Sequence, residues 1–299
     1  METVLITGAT GFLGRELTSV LSGKGFEVIA VSSDKNKAIG LFADLTNVTC
    51  FNHKDCDNDV VPFSKVNTLI HCAFARSENN EELSDALRYT VDIFGKAIQK
   101  NVSRIINISS QSVYGKLNQN AWKESDTVAP NSSYALAKYA TELLVNHIQK
   151  NTLKTIYTTN IRLSSLLMEN GRFVNVFVDK LWMGESIRIK GGNQTFSLMD
   201  VNDAANGICE LLAIDGSKWS STYNLGRNRA ETLLETAKMV NRVALEYNML
   251  PVELLIENQE APHQSCMDSG KFYSDTGWRP KHDLIDMIRS LFEDRFNPQ

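Results

Sequence analysis

The sequence predicts an α/β protein with a doubly wound parallel sheet and a smaller α/β lobe interleaved in its C-terminal third. Three observations support this fold class. Short β-branched apolar segments alternate with amphipathic helical segments over the first two-thirds of the 299 residues. A glycine-rich turn joins the first strand to the first helix. After about Ser164 the alternation gives way to shorter strands and additional helices.

The alternation can be followed from the N-terminus. Leu13, Leu17 and Leu21 share one helical face after the glycine turn, and Asp34 has the character of a helix N-cap. The predicted elements are strand Glu2–Thr7, helix Gly11–Leu21, strand Phe26–Ser32, helix Asn36–Leu45, strands Val48–Asn52 and Thr68–Ala73, helix Glu81–Lys100, strand Arg104–Ile108, helix Ser132–Lys150 and strand Thr155–Leu163.

The C-terminal third is predicted to form the smaller lobe. Its predicted elements are helix Arg172–Trp182, strand Ser186–Lys190, helix Asp203–Ala213, strand Thr222–Leu225, and helices Thr232–Tyr247, Ser269–Thr276 and Leu284–Phe292. We therefore predict a large domain over 1–165, with a returning segment near 195–228, and a smaller lobe over 166–299. Ligands in such folds bind beyond the carboxyl ends of the parallel strands.

Composition limits the classes of partner. Hydrophobic residues make up 42% and the formal net charge is −4, without a basic run, which argues against nucleic acid or an anionic membrane as partner. The five cysteines form no C-x-x-C pair and the histidines are scattered, so we predict no metal site. The N-terminus resembles no signal peptide and no segment is long enough to span a bilayer, so a cytoplasmic location is expected.

The glycine turn predicts a dinucleotide site. Gly8, Gly11 and Gly14 have the spacing that permits a tight turn, close approach of a pyrophosphate and close helix packing. The following helix offers unpaired N–H groups to phosphate. The residues predicted to bind the cofactor here are Gly8, Thr10, Gly11, Phe12, Leu13 and Gly14.

The end of the second strand bears on which dinucleotide binds. An NAD site has an acidic residue there for the ribose 2′-hydroxyl, whereas this chain has Ser32 and Ser33, with Lys35 and Lys37 nearby. Hydroxyl and ammonium groups suit a 2′-phosphate, so NADP is favoured. NAD is the alternative, because a shift of one or two residues would place Asp34 at the ribose.

Seven segments, spread over essentially the whole chain, form a recognisable set in this order. They are Thr7-Gly8-Ala9-Thr10-Gly11-Phe12-Leu13-Gly14, Leu69-Ile70-His71-Cys72-Ala73, Ile108-Ser109-Ser110-Gln111-Ser112-Val113-Tyr114-Gly115, Tyr134-Ala135-Leu136-Ala137-Lys138, Val201-Asn202-Asp203, Tyr223-Asn224-Leu225-Gly226 and Gly277-Trp278-Arg279-Pro280. Together they resemble the extended short-chain dehydrogenase/reductases, specifically the NAD(P)-dependent epimerase/dehydratase family that acts on nucleotide sugars. The resemblance implies a Rossmann fold.

The resemblance also implies a Ser-Tyr-Lys site. Tyr134 would exchange a proton with a substrate hydroxyl while hydride moves to or from the nicotinamide. Lys138, four residues later on the same helical face, would lower the pKa of the phenol and reach the nicotinamide ribose. Ser110 would hydrogen-bond the reacting oxygen. Further cofactor contacts are expected at Cys72, Ala73, Phe74, Ile108 and Leu163.

Three departures from the family pattern affect the choice of substrate. Asp92 stands where asparagine is usual, and Ser165 replaces the asparagine that precedes Gly-Pro. Phe196 stands at about the position where many members carry an arginine for the substrate pyrophosphate. The arginines considered as replacements are Arg172, Arg188, Arg227 and Arg229.

The sequence favours some reactions of the family over others without selecting one. The dehydratases place an Asp-Glu pair directly after the catalytic serine or threonine, whereas this chain has Gln111-Ser112, which disfavours dehydration. A nucleotide-sugar epimerase or keto-sugar reductase is therefore expected, and the resemblance implies the homodimer usual in the family. The alternatives are a reductase for a non-nucleotide carbonyl substrate, a non-catalytic NADP-sensing regulator, and a scaffold that keeps the fold without using the site.

Overall fold

The computed structural model describes residues 2–115, 121–151, 155–167, 173–257 and 264–296. Its first half alternates strands and helices. These elements are β1 Thr3–Thr7, α1 Phe12–Gly23, β2 Glu27–Ser32, α2 Lys35–Leu41, β3 Val48–Asn52, α3 His53–Asp57, β4 Thr68–His71, α4 Asn80–Gln99, β5 Arg104–Ser110, α5 Ser133–Asn151 and β6 Tyr157–Leu163.

The second half has shorter strands. These elements are β7 Ser165–Leu166, α6 Phe173–Trp182, β8 Ile187–Lys190, β9 Thr195–Phe196, β10 Leu198–Met199, α7 Val201–Leu212, β11 Thr222–Leu225, β12 Glu231–Thr232, α8 Leu233–Glu246, β13 Leu254–Glu257, α9 Gly270–Thr276 and α10 Leu284–Phe296.

The central sheet has seven parallel strands in the order β11-β6-β5-β4-β1-β2-β3. This order confirms the predicted doubly wound fold. In this sheet β2 and β3 lie on one side of β1, whereas β4 and the later strands lie on the other. The loops that leave the carboxyl ends of β1 and β4 therefore run to opposite sides. The resulting crevice lies where Gly8 follows β1 and Cys72 follows β4.

Helices cover both faces of the sheet because its strands are apolar on both sides. On one face, α1 and α7 bury Leu17 and Ile208 against Val4 and Ile6. On the other face, α4 and α5 bury residues such as Phe94 and Val145 against the opposite side of the same strands.

A separate cluster forms the core of the C-terminal lobe. It joins α6, α8 and α10 through residues such as Val178, Val240 and Ile288, while Ile187 and Ile189 add one face of β8. The segment that carries α7 and β11 returns to the large sheet, where β11 pairs with β6. The division at residue 165 stays a prediction.

The weaker C-terminal motifs join the lobe to the sheet. The Asp203 carboxylate accepts the backbone N–H groups of Lys281 and His282 at 2.9 and 2.8 Å. Trp278 packs on Gly207 of α7, where a Cβ would lie 3.2 Å from the indole. Among the described residues, the helices include none with the length and apolarity required to cross a membrane.

Several boundaries differ from the predictions. The fourth strand ends at His71 and not at Ala73, because the chain there closes over Gly8. The predicted helix Asn36–Leu45 spans Lys35–Leu41. Six elements were not predicted. They are α3, which has an Asn52–Asp55 capping box, β13, which pairs with β8, and the two-residue strands β7, β9, β10 and β12. Arg172, the predicted start of α6, lies outside the described residues.

Candidate active site

The glycine turn leaves room for a phosphate because side chains would collide there. Gly8 has φ +68°, and a Cβ on it would lie 2.8 Å from the Ala73 backbone. A Cβ on Gly14 would lie 2.1 Å from the Gly8 carbonyl oxygen, so only glycine lets α1 approach β1 this closely. Gly11 precedes the first residue of α1, whose N–H groups and dipole suit an anion. These features fit a dinucleotide pyrophosphate.

The polar residues at the end of β2 differ in their contacts and in their exposure. Ser32 is buried, and its hydroxyl lies 2.7 Å from that of Thr10. The Asp34 carboxylate accepts the Lys37 N–H at 2.9 Å and so caps α2. Lys35 pairs with Asp55 at 2.9 Å. Ser33 and the Lys37 side chain are exposed beside this turn.

A cavity of about 740 Å³ extends from the glycine turn across the carboxyl ends of β4, β5 and β6. Most of the predicted site lines it. The predicted residues in its wall are Gly8, Gly11, Phe12, Leu13, Gly14, Cys72, Phe74, Ile108, Ser110, Tyr134, Lys138 and Leu163. Of the other predicted cofactor residues, Ala73 packs on Gly8, Thr10 bonds Ser32, and Ser33 and Lys37 lie at the end of β2.

Ser110 and Tyr134 meet in this cavity. Ser110 ends β5, and its hydroxyl accepts the Ser112 N–H at 3.2 Å, which fixes the turn. Tyr134 lies in the first turn of α5 and hydrogen-bonds Ser110. Burial raises the pKa of Tyr134, while the Arg76 charge and the Ser110 hydrogen bond act in the opposite direction. The sequence had suggested Lys138 as the cation that lowers this pKa.

Lys138 is buried beneath the cavity. Its ammonium donates to the Ile108 carbonyl and lies 4.3 Å from the centre of the Phe74 ring. Burial lowers its pKa to about 8, against smaller opposing contributions from Cys72 and Glu142. The position predicted from Tyr-x-x-x-Lys spacing therefore holds a lysine at the floor of the cavity whose protonated form is disfavoured by burial.

A buried ion pair supports the end of β5 from below. Glu142 of α5 accepts from Arg162 of β6 through paired contacts of 3.0 and 2.8 Å. Glu142 also accepts from the Ser109 hydroxyl at 2.5 Å. Arg162 donates to the Tyr114 hydroxyl at 2.9 Å, and Tyr114 donates to Asn224 of β11 at 2.7 Å. Hydrogen bonds thus join β5, β6, β11 and α5 next to Ser110.

The substrate side of the cavity includes residues that the motifs did not identify. The Gln111 amide donates to the Ser165 hydroxyl at 3.0 Å, so the residue at the dehydratase acid-base position contacts the serine that replaces the usual asparagine of the family. The loop after β4 contributes Arg76, Ser77 and Glu78, and Phe196 closes another wall. The only available signal for this loop was its position after the carboxyl end of a central strand.

The candidate replacement arginines have other structural contacts. Arg227 is buried and donates to the Leu198 carbonyl and to Glu231, both at 2.6 Å. Arg229 also contacts Glu231, and the exposed Arg188 lies 3.9 Å from Glu257. Arg172 lies outside the described residues.

Comparison with known proteins identifies the family. The model of the NAD dependent epimerase/dehydratase family matches residues 4–226, about three-quarters of the chain. This chain belongs to that family. It is therefore an enzyme of the extended short-chain dehydrogenase/reductase type, with NAD or NADP as cofactor.

Relatives of established activity extend the match over nearly the whole chain. UDP-glucuronic acid decarboxylase 1 of Danio rerio is 27% identical over 93% of this chain and 69% of its own length. UDP-glucose 4-epimerase of Halalkalibacterium halodurans is 23% identical over 95% of this chain and 92% of its own. Relatives with different reactions thus match at comparable identity, so overall similarity does not select the reaction.

Solved structures show the same fold. UDP-glucose 4-epimerase from Bifidobacterium longum, in complex with NAD+ and UDP, superposes with a TM-score of 0.82 at 20% identity and covers 99% of both chains. UDP-N-acetylglucosamine 4-epimerase from Bacillus cereus superposes with a TM-score of 0.80 at 22% identity over 98% of this chain and 97% of its own.

Proposed function

We propose that this enzyme is a nucleotide-sugar epimerase or keto-sugar reductase that uses Ser110, Tyr134 and Lys138. The observation that carries the proposal is the Ser110–Tyr134 hydrogen bond inside a cavity that begins at the glycine turn. One end of the cavity fits a dinucleotide, and the other has space for a sugar. The UDP-glucose 4-epimerase and UDP-glucuronic acid decarboxylase relatives support a nucleotide sugar as the substrate class.

The roles follow from the chemistry of the three side chains. Tyr134 removes the proton of a sugar hydroxyl, or returns a proton to the oxygen of a ketone. Ser110 donates a hydrogen bond to the same oxygen and stabilises its developing charge. Lys138 supplies positive charge at the cavity floor. A dinucleotide held at the glycine turn by Gly8, Gly11 and Gly14 would supply or accept the hydride. Gln111 and Ser112 stand where dehydratases place their acid-base pair, which disfavours dehydration.

The test is turnover by Tyr134→Phe, which keeps the ring and removes the ionisable hydroxyl. UDP-glucose, UDP-N-acetylglucosamine and UDP-glucuronic acid are offered with NAD, and the corresponding 4-keto sugars with NADPH. Product sugars are identified by NMR and cofactor reduction by absorbance. We expect turnover by the wild type and a loss of at least about 100-fold in the variant. Tyr139→Phe on the same helix is the matched control, and equal turnover by both variants refutes the mechanism.

We also propose NADP as the preferred cofactor, with NAD as the alternative. Asp34 caps α2, while Ser33 and Lys37 are exposed at the end of β2. Fluorescence titration should show that Lys37→Glu weakens NADPH binding and leaves NADH binding nearly unchanged. Lys65→Glu is the control, because Lys65 is exposed and lies just before the amino end of β4, away from the end of β2. Release of NAD from the denatured wild-type protein would favour an epimerase that recycles its hydride and contradict the NADP preference.

A second candidate is a reductase for a carbonyl substrate without a diphosphate. Phe196 favours it, because an apolar ring lines the cavity where many members carry an arginine for the pyrophosphate. Competition by UDP distinguishes the two: inhibition supports a nucleotide sugar, and the absence of inhibition supports the smaller substrate.

A further inference from the structure

The contacts of Lys138 do not account by themselves for ionisation of the Tyr134 phenol. The ammonium donates to the Ile108 carbonyl and lies over the face of Phe74. The Phe74 ring in turn meets the Tyr134 ring edge-on, with 6.2 Å between ring centres. The positive charge of Lys138 is thus engaged by a carbonyl and an aromatic ring, while burial opposes formation of the Tyr134 phenolate.

The loop after β4 is docked on the start of α5 at two points. Phe74 contacts the Tyr134 ring, and the Glu78 carboxylate accepts the Tyr134 backbone N–H at 3.3 Å. Arg76 lies between these two contacts in the chain, and its side chain lines the same cavity as the phenol. The docking therefore keeps a guanidinium in the same cavity as the Tyr134 phenol.

We propose that Arg76 is a positioning residue that stabilises the phenolate of Tyr134 and so sets the pH at which the enzyme works. The inference rests on the proposed acid-base role of Tyr134. Arg76 exerts the largest opposing influence on the pKa of Tyr134, ahead of the Ser110 hydrogen bond. A cation from the loop after β4 thus acts in addition to the lysine that Tyr-x-x-x-Lys spacing places on the helix.

The other charged and titratable groups around Tyr134 are few among the described residues. Lys138 and, below it, Glu142 come from α5, while Cys72 and Glu78 come from the segment after β4. Glu78 carries the opposite charge to Arg76 and disfavours the phenolate. The end of β5 contributes only hydroxyls, from Ser110 and Ser112. Arg76 and Lys138 are therefore the cations of this set, and Arg76 comes from the loop.

The test compares Arg76→Gln and Arg76→Lys with the wild type. Two readouts are used: the pH dependence of kcat for hydroxyl oxidation, and a tyrosinate absorbance titration of the protein without substrate. Subtracting the titration of Tyr134→Phe isolates the signal of Tyr134. Arg88→Gln is the matched control, because Arg88 is a largely exposed arginine of α4 that pairs with Asp85.

We expect Arg76→Gln to move both profiles of Tyr134 to higher pH and to lower kcat at pH 7 by about three- to tenfold, since one pKa unit is a tenfold change in phenolate. Arg76→Lys should restore most of the loss. The difference from the wild type should shrink in 1 M salt, because exposed charges are screened. Arg88→Gln should match the wild type.

The outcomes separate this inference from the proposed function. An unchanged tyrosinate titration in Arg76→Gln refutes the inference, even where Tyr134→Phe abolishes turnover. A shifted titration with undiminished turnover by Tyr134→Phe supports the electrostatic contact but refutes the acid-base role on which its use depends. A loss of kcat without any shift in either pH profile also refutes the inference.

Discussion

At the scale of single residues, Lys138 shows a conflict between stability and function. Its side chain is 3% exposed, and its ammonium has one carbonyl and one aromatic face as neighbours. Water would solvate this charge better, which is why burial lowers its pKa to about 8. The cation therefore weakens the fold at neutral pH. Such a cost is typical of groups that serve a site.

The pH dependence of stability tests this interpretation. An unfolded lysine titrates near 10.4, so between about pH 8 and 10.4 the folded chain releases the proton before the unfolded chain does. The burial penalty is fully present below pH 8 and is relieved as pH rises. We expect the free energy of unfolding of the wild type, relative to Lys138→Met, to increase through this window by up to about 3 kcal/mol.

Urea unfolding at pH 7, 8, 9 and 10 measures the difference. Lys65→Met provides the control, because Lys65 is exposed and should give a difference from the wild type that is flat with pH. A flat difference for Lys138→Met as well would show that the buried ammonium carries no penalty in the folded chain.

Sequence periodicity predicts the alternating elements well, because each strand and helix of the sheet must bury an apolar face. It misses β13 and α3 for different reasons. β13 has four residues, and its pairing with β8 links positions more than sixty residues apart. α3 has five residues and is specified by its capping box more than by any apolar face. Local pattern carries little information about such elements.

The residues of the candidate site also differ in how well the sequence predicts them. Motif spacing predicts Ser110 and Tyr134, and the structure brings them together because the end of β5 and the start of α5 are fixed by the fold. Arg76 has no such motif, since its role depends on how the loop after β4 docks. The pairing of Glu142 with Arg162 depends on the packing of α5 against β6 and is equally invisible to periodicity.

The Glu142–Arg162 pair is the element-scale contact with the greatest expected effect. Burial opposes the charge of Arg162, but the hydrogen bonds and charge of Glu142 outweigh it and raise the pKa of Arg162. Glu142→Ala would leave that charge buried without its partner and would remove the acceptor of the Ser109 hydroxyl. We expect a loss of about 3–5 kcal/mol in the free energy of unfolding.

Chemical denaturation measures that loss, and Glu246→Ala is the control. Glu246 pairs with Arg289 between α8 and α10, where both side chains are more than one-third exposed. Because solvent screens such pairs, its removal should cost less than about 1 kcal/mol. Equal losses in the two variants would show that the buried pair does not hold α5 to the sheet more strongly than a surface pair.

At the scale of the whole molecule, α4 and α5 expose several large apolar side chains on one face. Leu136 and Leu143 lie seven residues apart on one side of α5 and are 60% and 51% exposed, and Val91 of α4 is 51% exposed. The two helices cover the same face of the sheet. A twofold contact would bury these side chains against their copies in a partner. We propose that this face forms the homodimer expected from the family resemblance.

Light scattering coupled to size-exclusion chromatography tests the proposed homodimer. The wild type should elute with twice the 33.4 kDa mass of the chain, and Leu143→Asp should elute as a monomer because two carboxylates would be buried without partners. Leu250→Asp is the control, since Leu250 is 85% exposed and lies outside both helices. Because α5 also carries Tyr134 and Lys138, a monomeric variant with reduced turnover would tie the order of the site to the assembly. A wild-type protein that elutes as a monomer would refute the proposal.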